Sequence, residues 1–331
     1  MADDVLTKIS SFNNDPVLHA TWLYYQEGLS QTDVARLMGV SRVTVVKYLQ
    51  TAREKGFVQI NLDLNTFSAI DYALKIKDKF ALNQVIIVPD GEQTEQRQDS
   101  KLMREKLAKA GGMYLNQVVE ANDVLGVAWG RTIHQMGKVM TPKFSKNVTV
   151  LQMLGSMPAQ PDFTTIESSS QIANKLSGRV ISLHVPAVVS SSRLAVELQA
   201  EPIIRANFEA LTQCNKAFFV VGNALDENPL IRAGVLSKKE MQIYRDMGAV
   251  GVICGRFYDK YGNPVVAEVD LRILGITLAQ LRQVKRRIFL AGGERNYNAT
   301  LGAILGGFVS DLIIDEGTAR FLFNCETFTE Q

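Results

Sequence analysis

The sequence predicts an α/β protein in two parts: an N-terminal helix-turn-helix domain followed by a larger domain with a mostly parallel sheet. Residues 28–49 carry the caps, the turn and the apolar spacing of two short helices. From about residue 84, short apolar runs alternate with helical patterns, as is typical of parallel strands covered on both faces. The chain of 331 residues is too long for a helix-turn-helix domain alone. We expect a helix-turn-helix domain in 1–62, a linker or oligomerisation helix in 63–83 and one α/β domain in 84–331.

The segment GLSQTDVARLMGVSRVTVVKYL supplies the local signals of both motif helices. Ser30 and Ser41 are placed to cap the helix starts with their side-chain oxygens, and Asp33 favours the positive end of the first helix. Gly39 lies at the turn, where glycine adopts a positive φ without strain. The inward faces are predicted to consist of Val34, Ala35 and Met38 in the first helix, and of Val45, Tyr48 and Leu49 in the second.

The outward face at the front of the second helix is the candidate DNA-contacting surface, because in this motif that end enters the major groove. Arg42 and Lys47 are long donors suited to guanine edges, and Val43 suits a thymine methyl group. The candidates for phosphate contacts are Gln31, Ser41 and Thr44. An ordinary helical hairpin is the alternative, but the full set of motif residues in their expected places favours DNA binding. Four basic residues against one acid between 41 and 60 agree with this without deciding it.

The segments on either side of the motif are also expected to be ordered. Residues Asp15 to Glu27 are predicted to form a helix that packs through Trp22, Leu23 and Tyr25. After the second motif helix, the apolar residues of 57–64 indicate a short strand or wing. Ser68 to Phe80 is predicted to form a helix that either links protomers or docks on the large domain.

Eight apolar runs are the candidate strands of the large domain. They lie at residues 85–89, 123–129, 148–154, 179–185, 217–223, 250–254, 287–293 and 309–315. Helical patterns separate most of them, so we expect a parallel sheet, with a small inserted subregion around 186–240. The sequence DKYGN, from Asp259 to Asn263, predicts a tight hairpin turn.

Four of these runs end in glycine or small polar residues, at the edge where open parallel sheets bind ligands. The run GVAWGRT ends in Gly130, Arg131 and Thr132, whose amides, guanidinium and hydroxyl together suit a phosphate or another anion. The other ends are Gly155 and Ser156, Gly222 and Asn223, and Gly292, Gly293 and Glu294. Turn geometry explains each end alone as well, but four convergent ends predict a shared small-molecule pocket.

Catalytic and metal-binding patterns do not occur in the sequence. His19, His134 and His184 have no metal-ligand spacing, and there is no nucleophile elbow, P-loop or paired-carboxylate signature. His184 lies in an apolar run and is expected in the core. The three cysteines lie far apart in apolar runs, as expected of buried thiols in a reducing compartment. We therefore expect no catalytic residues, no metal and no cofactor.

Over nearly its whole length the chain resembles the SorC family of bacterial sugar-responsive transcription regulators, also called the DeoR-like sugar-binding group. The motifs that carry the resemblance are YYQEGLSQTDVARLMGVSRVTVVKYL, GVAWGRT, NPLIRAG (228–234), GAVGVICGRFYDKYGN (248–263), LGITLAQLR (274–282) and AGGERNYNATLGAILGGFVSDLIIDEGTA (291–319). The resemblance implies an effector domain similar to sugar-phosphate isomerases and deaminases that senses instead of catalysing. It also implies a tetramer that binds a phosphorylated sugar or a related metabolite.

The resemblance further implies which residues contact the effector. Carried over by motif, they are Gly130, Arg131, Thr132, Gly155, Ser156, Gln171, Arg232, Gly292, Gly293, Glu294 and Asn296. Two positions depart from the family pattern: Val252 stands where many relatives have an acid, and Asn296 where many have lysine. Either the effector differs from the usual one, or Glu294 and Arg295 take over these contacts.

Taken together, the sequence indicates a cytoplasmic regulator of a carbohydrate or polyol catabolic operon. Double-stranded operator DNA is expected to bind the N-terminal domain, and a phosphorylated sugar or polyol the C-terminal domain of a homo-oligomer. The N-terminus is acidic and no apolar segment is long enough to span a bilayer, so no membrane partner is expected. The alternative is a sugar-phosphate isomerase or deaminase with an added DNA-binding head, which the missing acid–base set disfavours.

Overall fold

The computed structural model describes residues 15–58, 71–89, 100–157, 165–225 and 228–325. The chain divides into two compact units between Leu62 and Asp63. The smaller unit is helical and the larger one combines helices with two sheets. Within the described residues, no helix is both long enough and apolar enough to cross a bilayer.

Within its described residues, 15–58, the smaller unit contains three short helices: α1, Pro16–Tyr25; α2, Gln31–Met38; and α3, Arg42–Glu54. Their shared core contains Ala20, Leu23, Val34, Ala35, Val45 and Leu49. The inward faces predicted for the two motif helices are therefore confirmed, with Met38 and Tyr48 half-buried at the margin of the same core.

The packing face predicted for α1 was wrong at two of its three residues. Leu23 is buried, but Trp22 and Tyr25 are 38% and 36% exposed. Successive helical residues are about 100° apart, so Ala20 and Leu23, three positions apart, define the buried face and the two aromatic residues lie beside it. The Trp22 indole Nε1 instead donates to Glu27 Oε1 at 3.0 Å.

The larger unit alternates strands and helices. Its strands are β1 Gln84–Val88, β2 Val124–Val127, β3 Thr149–Gln152, β4 Arg179–Ile181, β5 Lys216–Val220, β6 Gly222–Asn223, β7 Ala249–Ile253, β8 Arg256–Asp259, β9 Pro264–Val265, β10 Arg286–Ala291 and β11 Asp311–Asp315. Its α-helices are α4 Asp71–Lys79, α5 Ser100–Val118, α6 Arg131–Val139, α7 Thr165–Lys175, α8 Ser192–Ala200, α9 Pro202–Leu211, α10 Pro229–Arg232, α11 Lys238–Asp246, α12 Leu278–Gln283, α13 Tyr297–Leu305 and α14 Glu316–Asn324. Short 3₁₀ turns cover Glu268–Arg272 and Glu294–Asn296.

Seven strands form one parallel sheet in the order β1–β11–β10–β5–β2–β3–β4. In β1, Val85 and Ile87 belong to one core cluster, whereas Ile86 and Val88 belong to the other. Both faces of the sheet are therefore buried, which is why the strands read as unbroken apolar runs. The predicted α/β architecture with a mostly parallel sheet is confirmed.

A second, antiparallel sheet holds β6, β7, β8 and β9. The run at 250–254 was expected in the parallel sheet, and the structure corrects this. Cys254 and Gly255 form a two-residue turn with positive φ (48° and 77°), so β7 returns directly as β8 without a crossover helix. The bounds expected for the inserted subregion, 186–240, were therefore only partly right, because the second sheet spans residues 222–265. The hairpin predicted at Asp259 to Asn263 is confirmed between β8 and β9.

The helix after the smaller unit, α4, packs on the larger unit against β1 and α14. Its buried residues are Ala73 and Ile76, and the Tyr72 ring meets Phe323 of α14 edge-on at 4.8 Å. Docking on the large domain was one of the two roles expected for the predicted helix Ser68 to Phe80. Its residues 68–70, and the predicted strand or wing from residue 59 onwards, lie outside the described residues.

His184 is exposed and has a φ of 57°, so its predicted place in the core was wrong. β4 ends at Ile181 instead of running to residue 185. Beyond it, Leu183 and Val185 are buried and the residue between them faces solvent. The expectation of buried cysteines is confirmed for Cys214 and Cys254, whereas Cys325 is half-buried. Burial raises the pKa of Cys214 to about 12.

A buried ion pair joins the amino ends of β2 and β5. Lys216 Nζ donates to both carboxylate oxygens of Asp123, at 2.7 and 2.6 Å, and the two side chains are only 8% and 4% exposed. The Asn215 amide donates a further bond to Asp123 (Nδ2–Oδ1 2.9 Å). Glu120 also reaches Lys216 Nζ at 3.2 Å but is 79% exposed. The buried carboxylate, and not the exposed one, therefore compensates the buried ammonium.

Replacing Asp123 is expected to destabilise the fold far more than replacing Glu120. Asp123→Ala leaves the Lys216 ammonium buried without its main partner, which costs about 3–5 kcal/mol. Glu120→Ala removes only an exposed partner, which is worth up to about 1 kcal/mol. Urea unfolding of the two variants measures both losses, and similar midpoints would contradict the assignment.

Candidate functional site

The turn between α2 and α3 is fixed by three local devices. Ser30 Oγ accepts a bond from Asp33 N at 3.2 Å, and Ser41 Oγ accepts from Thr44 N at 3.1 Å, so both helices begin with a side-chain cap. Gly39 ends α2 with φ 65° and ψ 29°, and Val40 N donates back to Ala35 O at 3.0 Å. These local bonds fix the turn, and the core shared with α1 supports the packing of the two helices.

The front of α3 presents an exposed face of mixed chemistry. Arg42, Val43 and Lys47 are exposed, and Val43 reaches 66%. Thr44 is half-buried, and its hydroxyl lies 2.8 Å from Ser41 Oγ. Gln31, at the start of α2, accepts from Arg42 Nε at 3.3 Å. This face can offer two cations and a methyl surface to base edges, with hydroxyl groups beside them for phosphates.

In the larger unit, the strand order reverses between β2 and β5. From β2 the chain moves outwards through β3 and β4, and from β5 it moves the other way to β10 and β11. Ligands of open parallel sheets bind beyond the carboxyl ends of the strands at such a reversal. The strand ends touch here: a Cβ on Gly130 would lie 2.8 Å from Val220 Cγ2, so only glycine fits without displacing Val220.

The start of α6 lies at this reversal. Gly130 is the N-cap, with φ and ψ both 153°, a conformation that glycine alone adopts readily. Within the described part of the chain no side chain caps this helix, so the amides of its first turn remain available. Arg131 is exposed and Thr132 is half-buried beside them. This arrangement can bind an anion.

Three hydrogen bonds that involve side chains help to hold the loop 292–296 after β10. Gly293 N donates to Asp315 Oδ2 at 2.7 Å, and Asn296 Nδ2 donates to Gly292 O at 2.8 Å. Asn223, at the end of β6, donates from Nδ2 to Asn296 Oδ1 at 3.1 Å. The structure thus joins the strand ends at 222–223 and 292–296 through two neutral amide side chains, while Glu294 stays exposed.

Arg232 lies on the helix that follows β6. The buried Asn228 donates to Asn223 O and accepts from Leu230 N at 2.8 Å, which fixes the start of α10 beside β6. Arg232, the last residue of this short helix, is exposed. Val252 faces Gly222 across the β6–β7 pair, and a Cβ on that glycine would lie 2.9 Å from Val252 Cγ1. The side of β6 is therefore apolar at the position where the family resemblance implied an acid.

Three other predicted residues are less available to a ligand. The amides of Gly155 and Ser156 are already used, donating to Leu274 O at 2.9 Å and Val185 O at 2.8 Å. Only the half-buried Ser156 hydroxyl remains at that strand end. Gln171 packs on Gly137 of α6, where a glycine Cβ would lie 3.0 Å from the Gln171 Cβ. Gly137 is seven residues, or about 10 Å, along the helix from Gly130, so Gln171 lies apart from the strand ends.

Two buried polar groups lie at these strand ends, and the sequence did not single out the first of them, Gln152. Gln152, the last residue of β3, is paired with Val127 and is 2% exposed, yet neither atom of its amide has a partner among the described residues. The buried Nε1 of Trp129 likewise has no partner in the described part of the chain. Trp129 directly precedes the N-cap of α6, and Gln152 is paired with Val127, three residues before that N-cap. Buried polar groups normally find partners. A glutamine inside the apolar run VTVLQML was the signal that could have found Gln152.

The chain is similar to a sugar-binding family and to known transcription regulators. A family model described as "Putative sugar-binding domain" matches residues 65–324. The uncharacterized transcriptional regulator YjhU of Escherichia coli (strain K12) is 78% identical over 320 residues, which cover 97% of this chain and 98% of that protein. The deoxyribonucleoside regulator of Bacillus subtilis (strain 168) is 32% identical over 309 residues, 93% of this chain and 96% of that protein.

A solved structure shares the fold. The crystal structure of the full-length sorbitol operon regulator SorC from Klebsiella pneumoniae matches with a TM-score of 0.78 and 22% identity. The match covers 93% of this chain and 98% of that one.

A helix-turn-helix unit joined to a sugar-binding α/β unit defines a DNA-binding transcription regulator that responds to a sugar, and not an enzyme. The chain belongs to the SorC (DeoR-like) family of sugar-responsive transcriptional regulators, and its sugar-binding domain covers residues 65–324.

Sequence discrimination on DNA is expected to depend on Arg42 and Lys47. Removing either side chain should cost about 1–3 kcal/mol on an operator isolated by in vitro selection, and little on a scrambled duplex, because base contacts carry the specificity. Fluorescence anisotropy at fixed salt measures both affinities. Arg53→Ala, on the last turn of the same helix, is the matched control and should change neither affinity strongly. Equal losses on the two duplexes would show that Arg42 and Lys47 contact only phosphates.

Proposed function

We propose that the protein regulates a carbohydrate or polyol catabolic operon in the cytoplasm and that its effector is phosphorylated. In this proposal α3 reads double-stranded operator DNA, and the crevice between the carboxyl ends of β2, β5 and β10 binds a sugar phosphate or polyol phosphate. Domain limits of 1–62 for DNA binding, 63–83 for the linking segment and 84–331 for effector binding complete the assignment. No cofactor or metal is required.

The uncapped start of α6 at the strand-order reversal is the observation that carries this proposal. Its free amides and the helix dipole favour negative charge, and Gly130 allows a ligand to approach the backbone. Arg131 can add a charge-assisted bond and Thr132 a hydroxyl. Gln152 and the Trp129 indole supply further donors next to the same turn. We assign the phosphate to this end of the crevice.

The other end of the crevice suits the uncharged part of the effector. Asn223 and Asn296 form a neutral amide pair where many relatives carry a lysine, and Val252 is apolar where many carry an acid. Neutral amides can both donate to and accept from sugar hydroxyls, and they do not demand a second charge on the ligand. An effector with one phosphate and a polyol chain therefore fits better than one with a second anionic group. Glu294, Gly155, Ser156, Gln171 and Arg232 are retained as candidates of lower priority.

Sugar phosphates are expected to raise the melting temperature of the full chain, whereas their unphosphorylated parents are not. Binding to the folded state alone stabilises it by about 2.7 kcal/mol at one hundred times Kd. The panel comprises pentose, hexose and hexitol phosphates, each beside its parent sugar, with inorganic phosphate as the anion control. A shift with free sugars but not with phosphates would contradict the phosphorylated effector.

Thr132→Ala is expected to weaken the best phosphate of the panel by about 1.5–3 kcal/mol, because it removes a hydrogen bond to a charged group. It should leave the melting temperature without ligand and the operator affinity unchanged. Arg193→Ala is the control, since Arg193 is exposed on α8 and pairs only with Glu197, at 2.7 Å, in the contacts of the described residues. Wild-type affinity for the phosphate in Thr132→Ala would place the anion elsewhere. Gly130→Val is a poorer test, because its side chain would also displace Val220.

We further propose a tetramer, whose arrangement the effector would bias. Two recognition helices must lie about 34 Å apart to meet successive major grooves, and a small helical unit rarely sets that spacing alone. Exposed apolar residues on the larger unit, such as Val196 and Ile203 at 67% and 77%, are compatible with subunit contacts.

Light scattering at micromolar concentration is expected to give four times the chain mass of 36.6 kDa. The measurement is made with and without operator DNA, so that assembly in solution is separated from assembly on DNA. A monomer mass under both conditions would exclude the oligomer, and a dimer mass would reject the tetramer.

A further inference from the structure

One carboxylate connects the proposed effector crevice to the last helix of the chain. Asp315, the buried last residue of β11, accepts from Gly293 N through Oδ2 at 2.7 Å. Its other oxygen, Oδ1, accepts from Thr318 N at 2.8 Å and so caps α14. The two oxygens hold different elements, and any shift of the 292–296 loop therefore acts on the cap of α14.

A ring contact reinforces this connection. Tyr297, the residue directly after the loop, stacks on Phe321 of α14 with centroids 4.8 Å apart and planes 18° apart. A Cβ on Gly317 would lie 2.5 Å from the Tyr297 hydroxyl, so the ring also touches the first turn of α14. The loop and the helix are thus packed together over two turns, and neither can move far without the other.

The opposite end of α14 is held by α4. This nine-residue helix spans about 13 Å. At its far end, Lys79 Nζ donates to Leu322 O at 3.0 Å, to Phe323 O at 3.1 Å and to Cys325 O. A cation on the carbonyls of a last turn complements the helix dipole. α4 is the first described helix after residues 59–70, which join it in sequence to the DNA-binding unit.

We propose that α14 transmits effector binding from the 292–296 loop to α4, an inference that rests on the proposed function. Asp315 and Lys79 are the positioning residues at the two ends of α14. A packed helix that is clamped at both ends moves as a unit, which gives the two sites a physical connection. The connection lies entirely within the larger unit. The DNA-binding unit responds because the chain leads from α4 to it.

Hydrogen exchange on the full chain without ligand tests the connection. Asparagine has a single acceptor oxygen, so Asp315→Asn keeps only one of the two bonds. We expect exchange about tenfold faster in the 71–79 peptide as well as near the mutation, since a bond to a charged group holds α14 in place. Asp123→Asn is the matched control, because it weakens an equally buried carboxylate three strands away in the sheet. Unchanged exchange in 71–79, or the same increase in both variants, would overturn the inference.

Operator binding tests the far clamp. Lys79→Met keeps the length of the side chain but has no donor, and Lys79→Arg restores donors. The probes are the sugar phosphates of the thermal-shift panel. In Lys79→Met they should shift the melting temperature as in the wild type, but their effect on operator affinity should be at least about fivefold smaller. Lys79→Arg should recover it. A full operator response in Lys79→Met would reject the role of α14. If no phosphate shifts even the wild type, the proposed function fails instead, and the exchange experiment alone decides the connection.

Discussion

Because all seven strands of the large sheet are parallel, their carboxyl ends lie along one side of the sheet and their amino ends along the opposite side. The two sides differ in chemistry. At the amino ends, charges are paired: the buried Lys216 with Asp123, and the buried Asp311 with the half-buried Arg286, whose Nε lies 3.0 Å away. The Tyr114 hydroxyl donates a further bond to Asp311 at 2.5 Å. At the carboxyl ends, the amides of the first turn of α6 and the side-chain amide of Gln152 have no partner among the described residues. One side thus stabilises the fold, and the other is left for a ligand.

Local chemistry explains how much of the fold the sequence predicts. Helix caps, a positive-φ glycine and apolar spacing act within a few residues, so Ser30, Gly39 and Ser41 identify the motif and its inward faces in advance. Unbroken apolar runs identify the strands for a similar reason, since burial on both faces removes the need for alternation. The run at 250–254 was wrongly predicted to lie in the parallel sheet. The two-residue turn Cys254–Gly255 pairs it with β8, and the composition of the run alone does not show this.

The candidate site was predictable only in part, because its members are assembled by tertiary contacts. Gly130 and the loop 292–296 carry visible signals at strand ends. The glutamine in the run VTVLQML marks a polar residue in a buried strand, but only the structure shows that its amide lies at the reversal without a partner among the described residues. Motif transfer places Gln171 in the site by sequence position alone, whereas in space it packs on Gly137, further along α6. The sequence also does not show which backbone amides are already hydrogen-bonded. Those of Gly155 and Ser156 are, so they are not available to a ligand.

The exposed valines of α3 have a thermodynamic consequence. Val43 and Val46 are 66% and 39% exposed in the protein without DNA. If they are covered in the major groove, water leaves apolar surface, and association then carries a negative heat-capacity change. This share of the affinity does not come from counterion release, so it persists as salt rises while the contribution of Arg42 and Lys47 to phosphate attraction declines. A small helix can therefore remain selective at ionic strengths that abolish its nonspecific affinity for DNA.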